Sequence, residues 1–176
     1  GITLKIAALL VAGACVAGFV APTVANPLGG DAGFGVKADR IVVKKTERRL
    51  YLLAGDTIVR SYQVSLGRNP EGQKYFSGDG RTPEGLYHIE YKNPGSQFYR
   101  SLKISYPSRD DIAKAREWGL SPGGLIMIHG QPTNRVNGAV ESRSADWTEG
   151  CIAVSNDEMD EIWWAVDAGT PIEIQP

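Results

Sequence analysis

The chain is organised around one stretch in its last third, Asp146-Trp147-Thr148-Glu149-Gly150-Cys151-Ile152-Ala153-Val154. The stretch contains the only cysteine outside the apolar N-terminal segment, with a glycine directly before it and an apolar run after it. A second apolar run lies upstream, Leu125-Ile126-Met127-Ile128, and leads into His129 and Gly130. One cysteine and one histidine, each at the boundary of an apolar run and next to a glycine, predict a thiol–imidazole pair in a cleft.

Short apolar runs bounded by turn residues predict a mainly β fold with a few helices. The first three strands are expected to form an antiparallel meander, in which Ile58, Tyr62 and Val64 share one parity. The expected strands and extended segments are 40–45, 48–53, 57–66, 86–91, 97–106, 125–128, 151–154 and 170–174.

Two helices are predicted from their starting residues. The segment Ser108-Arg109-Asp110-Asp111 caps a short helix that runs to about Trp118 and is closed by Gly119. The segment Ser155-Asn156-Asp157-Glu158 is a capping box for a second helix, which ends at Gly169. One face of that helix is apolar at helical spacing and is interpreted as core: Met159, Ile162, Trp163 and Val166.

Size and composition indicate one globular domain. The chain has 176 residues, of which 42% are hydrophobic and 22% charged, and its net charge is −1. Because no basic cluster is present, nucleic acid is excluded as a general partner. The chain has two histidines and no close-spaced pair of metal ligands, so no metal site and no cofactor are expected.

The N-terminal segment predicts export. Residues 1–25 combine a lysine, a short apolar run and small residues, which is typical of a signal peptide cleaved near Ala25. An uncleaved membrane anchor and lipidation at Cys15 are alternatives, and the protein would touch a membrane only through this segment. Residues 26–38 are expected to be a linker and 39–176 the folded domain. That domain keeps a single thiol, which is either a used nucleophile or a buried inert cysteine.

The residue types support nucleophilic catalysis. A cysteine attacks carbonyl groups as its thiolate, and His129 is the expected base that removes the thiol proton. The backbone N–H groups of Cys151 and Gly150 are candidates for an oxyanion hole. The group that orients the imidazole is either a carboxylate or a backbone carbonyl. The other histidine, His88, is expected on a strand face.

Two motifs resemble the L,D-transpeptidase catalytic domain family, also called YkuD-type. That family has a histidine after an apolar strand, then a loop, then a Ser/Thr-x-Gly-Cys segment, which corresponds here to His129 and Thr148-Glu149-Gly150-Cys151. The run Gly78-Asp79-Gly80-Arg81-Thr82-Pro83-Glu84-Gly85-Leu86-Tyr87 matches a second family stretch. The similarity covers 39–174 and points to a subgroup with the motif Asp-Trp-Thr-x-Gly-Cys-Ile-Ala-Val.

The resemblance implies a β-sandwich-like catalytic domain that acts on peptidoglycan stem peptides in the bacterial periplasm or cell envelope. Its cysteine would attack the bond between meso-diaminopimelate and D-alanine and form a thioester. An amine of another stem, of an envelope lipoprotein or of a D-amino acid would then resolve the thioester. The implied roles are Cys151 as nucleophile and His129 as general acid and base, with Gly150, Thr148, Glu149 and Gly130 near the site.

Two departures from the family pattern keep other functions open. Glu149 stands where many members have a histidine, and Ala153 stands where many have arginine or asparagine. Glu149 is expected to raise the pKa of the nearby thiol. The subgroup motif leaves hydrolysis of peptidoglycan linkages as the alternative activity, and a non-catalytic wall-binding domain as a third. Residues 132–147 are expected to form a long functional loop.

Overall fold

A computed structural model describes residues 35–133 and 145–176. The predicted signal segment, most of the predicted linker and most of the 132–147 loop lie outside the described residues. Within the described ranges no helix is long and apolar enough to cross a membrane. The elements are β1 Arg40–Lys44, β2 Arg49–Ala54, β3 Thr57–Gln63, β4 Gly85–Ser96, β5 Tyr99–Ile104, α1 Arg109–Glu117, β6 Met127–His129, β7 Ile152–Ala153, α2 Asn156–Ala165 and β8 Pro171–Gln175.

The eight strands form one sheet in the order β3-β2-β1-β8-β4-β5-β6-β7. Neighbouring strands are antiparallel except for β1 with β8 and β6 with β7, which are parallel. The two ends of this order meet, because Ser65 just after β3 bridges to Ala153 of β7, and Gly67 bridges to Thr148. The sheet therefore curls on itself, and the cysteine segment lies where its ends join.

One hydrophobic core links the strands to α2. Met159, Ile162 and Val166 are fully buried and Trp163 packs against the same core, which confirms the predicted apolar face of the helix. Each fully buried aliphatic side chain contributes about 1.5–3 kcal/mol by leaving water. The strands supply most of the remaining core: Ile41, Val43, Leu50, Leu52, Ile89, Leu102, Ile104, Ile128 and Ile152.

Both helices begin with the predicted capping boxes. The Ser108 hydroxyl accepts the N–H of Asp111, and the Asp111 carboxylate accepts the N–H of Ser108. Ser155 and Glu158 make the same reciprocal pair at the start of α2. The predicted end of α2 is wrong, since the helix ends at Ala165 and Gly169 belongs to the turn before β8.

Two details of the strand predictions are wrong. A bulge shifts the register between β2 and β3, so that Leu52 pairs with Arg60 but Leu53 pairs with Ile58. The extra residue, Val59, packs on the core, and Ile58 is 57% exposed although it was assigned the parity of Tyr62. A bulge of this kind reverses the faces of the residues beyond it.

The second error concerns the apolar run before His129. Leu125 was predicted to begin a buried strand, but its side chain is 68% exposed and its φ is +55°. The strand begins only at Met127. The left-handed backbone turns the Leu125 side chain outward, and this exposed position lies directly beside the candidate nucleophile.

Candidate active site

The candidate histidine ends β6, and the candidate cysteine directly precedes β7, the parallel neighbour of β6. Ile128 of β6 is in register with Ile152 of β7, and His129 is in register with Ala153. Cys151 comes two residues before Ala153, so its side chain projects from the same face of the sheet as His129. The two Cα atoms are then about 8 Å apart, from the strand spacing and the rise of two residues.

A backbone carbonyl orients the imidazole. Nδ1 of His129 lies 2.7 Å from the carbonyl oxygen of Gly130. Because a carbonyl oxygen only accepts, Nδ1 carries the proton and Nε2 is left as a base. The sequence left open whether a carboxylate or a backbone carbonyl orients the imidazole. In the structure the orienting group is the Gly130 carbonyl.

Two aromatic rings enclose His129. The Phe98 ring centroid lies 4.4 Å from the imidazole centroid, and the Trp147 centroid lies 5.8 Å away in an edge-on arrangement. The His129 side chain is buried, and burial lowers its pKa while the Gly130 carbonyl opposes the shift. Burial therefore favours the neutral imidazole, whose Nε2 keeps a free lone pair.

The indole of Trp147 also carries a buried donor. Its Nε1–H has no hydrogen-bond partner within the part of the chain that the structure describes. Leaving such a donor unpaired costs about 1–3 kcal/mol. An acceptor on a bound substrate would recover that cost.

The Cys151 thiol is partly accessible. Its Sγ lies 3.4 Å from the carbonyl oxygen of Leu125 and is positioned to donate to it. Burial raises the pKa of the thiol, and the backbone of Met127 and the ammonium groups of Lys103 and Lys74 oppose that shift. Burial of both groups thus favours the uncharged thiol and imidazole over an ion pair in the free protein.

Glycine is required directly before the candidate nucleophile. Gly150 has φ of +137°, and a Cβ there would lie 2.6 Å from the carbonyl oxygen of Arg81. Gly67 is equally constrained, since its Cβ would lie 2.1 Å from the Gly80 carbonyl oxygen and 3.1 Å from the Gly150 Cα. The two motifs that carry the family resemblance are therefore in direct backbone contact.

Thr148 organises the turn that presents Cys151. Its hydroxyl donates to the Cys151 carbonyl at 2.7 Å and accepts the Gly150 N–H at 3.1 Å. The Gly150 N–H is therefore already engaged, which weakens its predicted part in an oxyanion hole. The Thr148 backbone is fixed in turn by hydrogen bonds to Leu66 and Arg68.

Glu149 does not have the effect on the thiol that was expected from the sequence. Its carboxylate is paired with Arg68, and both side chains are 65% exposed. It is not among the groups that shift the thiol pKa, which burial raises. The expected direction of the shift was right, but its cause is burial and not the charge of Glu149.

A loop with two lysine–carboxylate pairs supports the site. Lys74 Nζ lies 2.7 Å from Asp79 Oδ1, and both side chains are almost fully buried. Burial alone would raise the pKa of Asp79, but Lys74 and three backbone N–H groups hold it below its usual range. Lys45 donates to the carbonyl of Thr82 and to the Glu84 carboxylate. These lysines were missed, because nothing in their sequence spacing predicts a buried ammonium.

Gly130 and Asp146 make further contacts that fix the segments carrying His129 and Cys151. A Cβ on Gly130 would lie 2.5 Å from Asn156 Oδ1, so the base is followed by a close contact with α2. Asp146 accepts the N–H of Leu66 and is paired with Arg48, which joins the cysteine segment to the strand side of the domain. Within the described ranges no group of three His, Cys, Asp or Glu could hold a metal ion.

Comparison with known proteins gives one family model and several relatives. The model described as YkuD, L,D-transpeptidase catalytic domain, matches residues 38–174. The protein named "Putative L,D-transpeptidase YafK" of Escherichia coli strain K12 is 29% identical over 129 residues, covering 70% of this chain and 45% of that protein. "Putative L,D-transpeptidase YqjB" of Bacillus subtilis strain 168 is 29% identical over 155 residues, covering 85% and 74%. The chain thus spans less than half the length of YafK.

Two solved structures share the fold. The helical cell shape determining protein Pgp2 from Campylobacter jejuni aligns with a TM-score of 0.59 and 25% identity, over 80% of this chain and 48% of that chain. An L,D-transpeptidase from Mycobacterium smegmatis aligns with a TM-score of 0.51 and 17% identity, over 79% and 59%. The predicted mainly β fold of a catalytic domain is confirmed by these alignments.

Proposed function

The chain belongs to the L,D-transpeptidase catalytic domain family, and from this membership we propose that it transfers peptidoglycan stem peptides through a thioester on Cys151. One observation carries the proposal: Cys151 directly precedes β7, whose parallel register with β6 places its Cα about 8 Å from that of His129, and Nε2 of His129 is left as a base. The substrate class, the meso-diaminopimelate–D-alanine bond, comes from the family and is part of the proposal.

In the first half-reaction the Cys151 sulfur attacks the carbonyl carbon, and Nε2 of His129 takes the thiol proton. The oxyanion that forms is stabilised by the backbone N–H of Cys151. The carbon–nitrogen bond then breaks, and the protonated imidazole returns its proton to the leaving amine of D-alanine. The product is a thioester between Cys151 and the shortened stem.

In the second half-reaction an amine attacks the thioester and loses a proton to His129. The sulfur leaves and regains that proton, which restores the thiol. The acceptor amine belongs to another stem, giving a cross-link between two diaminopimelate residues, or to a lipoprotein or a free D-amino acid. A reaction on peptidoglycan requires export to the periplasm or cell envelope, which the predicted signal segment 1–25 would provide.

Hydrolysis is the second candidate, and Ala153 favours it. The side chain at this position is 2% exposed and lies within β7 beside His129. It offers no cation or amide to hold a substrate carboxylate or to align an amine acceptor. Water would then resolve the same thioester and release a tripeptide stem.

The test is mass spectrometry of the products formed from disaccharide-tetrapeptides by wild type and by Cys151→Ala. Cross-linked dimers that have lost D-alanine, absent with Cys151→Ala, support transfer, and tripeptides without dimers support hydrolysis. Adding a D-amino acid separates a missing acceptor from a missing activity. A folded wild-type protein that leaves the substrate unchanged in every mixture would contradict both.

His129→Gln provides a second variant that keeps the size of the side chain. Because Cys151 retains its position without a base, turnover should fall by about 10²–10⁴-fold while the thiol still reacts with iodoacetamide. Turnover near that of wild type would remove His129 from the mechanism.

A further inference from the structure

Two aromatic side chains lie exposed on the loops beside the candidate site. The rings of Tyr75 and Trp118 stack with their centroids 5.4 Å apart and their planes at 26°. Even so, Trp118 is 62% exposed and Tyr75 is 36% exposed. Exposed apolar surface of this kind, concentrated in two neighbouring rings, marks a binding site more often than scattered single residues do. We call this stacked pair the aromatic platform.

Packed loop segments connect the aromatic platform to the nucleophile. The N–H of Ser77 donates to the carbonyl of Ser121 at 2.8 Å. A Cβ on Gly123 would lie 3.2 Å from the Ser77 Cα, so the two segments are in close contact. The second segment continues to Leu125, whose carbonyl accepts the hydrogen bond from the Cys151 thiol.

The first segment leads to the nucleophile as well. It continues from Tyr75 through Asp79, which is paired with Lys74, to Arg81, whose carbonyl oxygen lies against Gly150. Both rings of the platform thus stand on segments that also contact the nucleophile or the glycine beside it. The platform is therefore anchored on the segments that form part of the candidate site.

The segment that leads from Trp118 to the thiol also carries exposed apolar side chains. Leu120 is 43% exposed and Leu125 is 68% exposed. Gly123 contacts Ser77 and lies two residues before Leu125, while Ser77 lies two residues after Tyr75. The Cα atoms of Tyr75 and Leu125 are therefore at most about 19 Å apart. An extended peptide of three residues spans about 10 Å. A stem peptide bound at Cys151 by its third residue and extended along these segments would place the attached sugars within reach of the platform.

We propose that the aromatic platform binds an amino-sugar ring of the glycan that carries the stem peptide. This inference rests on the proposed function, because it takes the stem peptide as the substrate. The faces of a pyranose ring present C–H groups, which pack flat on an aromatic ring, while the polar substituents point outward to water. Tyr75 and Trp118 each combine such a face with a polar edge.

The test compares one tetrapeptide with and without its disaccharide. Trp118→Ala should raise the KM for the disaccharide-tetrapeptide by about tenfold, as for loss of a central aromatic contact. Its KM for the free tetrapeptide should match wild type, and kcat should be unchanged for both. Trp164→Ala is the matched control, since Trp164 is also an exposed tryptophan, at 51%, but lies on α2. That variant should leave both KM values unchanged.

Three outcomes would overturn the proposal. The first is an equal rise in KM for both substrates, which would make Trp118 a peptide contact or a general structural residue. The second is no change for either substrate while both are turned over. The third is a dimer of wild type that Trp118→Ala dissociates in sedimentation, because the platform would then be an interface between two copies.

A binding measurement keeps the proposal testable without turnover. Free disaccharide is titrated into the Cys151→Ala protein while the indole N–H signals are followed by NMR. The signal assigned to Trp118, by its loss in the Trp118→Ala background, should shift, whereas that of Trp164 should not. An unmoved Trp118 signal would overturn the inference, and failure of the proposed function would instead appear as unchanged substrates in the assay.

Discussion

Two ion pairs stand on the loops around the nucleophile, and they differ in exposure. The side chains of Lys74 and Asp79 are 3% and 4% exposed, with 2.7 Å between Nζ and Oδ1. Arg68 and Glu149 are also paired, but each side chain is 65% exposed. Of these two ion pairs, one is therefore buried in the protein and the other is exposed to water.

The buried pair is part of the architecture. Besides Lys74, the Asp79 carboxylate accepts the backbone N–H groups of Tyr75, Phe76 and Arg81. It thus fixes the loop whose Arg81 carbonyl contacts Gly150. The cost of removing two charges from water is offset only because so many hydrogen bonds satisfy them.

The exposed pair, Arg68 and Glu149, contributes little to stability. Both charges keep most of their water, so their attraction is worth between 0 and about 1 kcal/mol. The guanidinium of Arg68 can exchange Glu149 for another anion at little cost. Burial of the pair, and not the presence of opposite charges, therefore decides whether the fold depends on it.

The largest effect is expected from breaking the buried pair. Asp79→Ala leaves the Lys74 ammonium buried without a counter-charge, which should lower the free energy of unfolding by about 3–5 kcal/mol. Urea denaturation followed by circular dichroism measures this. Glu149→Ala is the control and should lower it by less than about 1 kcal/mol. Equal losses in the two variants would contradict the comparison.

A smaller effect is expected from pH. The folded pKa of Asp79 lies below its ordinary value, so its stabilising contribution is complete above about pH 4 and is lost as the pH falls through the folded value. Asp79→Asn removes the titration. The difference in unfolding free energy between wild type and Asp79→Asn should therefore be constant from pH 7 to about pH 5 and shrink below about pH 4. A difference that does not change over this range would remove Asp79 from the acid sensitivity.

Local sequence signals predicted most of the fold. The capping residues Ser108 and Ser155 fixed the helix starts, because hydroxyl and carboxylate partners three residues apart satisfy the free N–H groups of a first turn. Period-two patterns located the strands. The errors at Ile58 and Leu125 come from a bulge and from one left-handed residue, which shift register or direction without changing residue type.

Of the candidate site, the sequence singled out only the two candidate reacting groups. Cys151 and His129 could be singled out because each is rare in the chain and follows or precedes an apolar run. Their surroundings could not, since Phe98 reaches His129 only through the register of β5 with β6. The contacts of Gly67 with Gly80 and Gly150 likewise join segments more than ten residues apart in sequence, and no local pattern specifies them.

The smallest effect is expected in the pKa of the Cys151 thiol, where buried and exposed charges should act differently. Lys74 and Lys103 act on that pKa, whereas Arg68 and Glu149 do not. Arg68→Ala and Glu149→Gln should therefore leave the pH dependence of Cys151 alkylation unchanged. Lys103→Met should move it to higher pH, because a buried positive charge that favours the thiolate is lost.

Rates of alkylation by iodoacetamide between pH 6 and about pH 10 give the profiles of wild type and the three variants directly. A shift to lower pH in Glu149→Gln would restore the effect first expected for this carboxylate, and would mean that the exposed pair acts on the nucleophile through solvent. Coincident profiles for wild type, Arg68→Ala and Glu149→Gln, with Lys103→Met displaced, would show that burial separates charges that tune the thiol from charges left available to a substrate. Arg68 would then be the exposed cation to examine for binding the carboxylate of the leaving D-alanine.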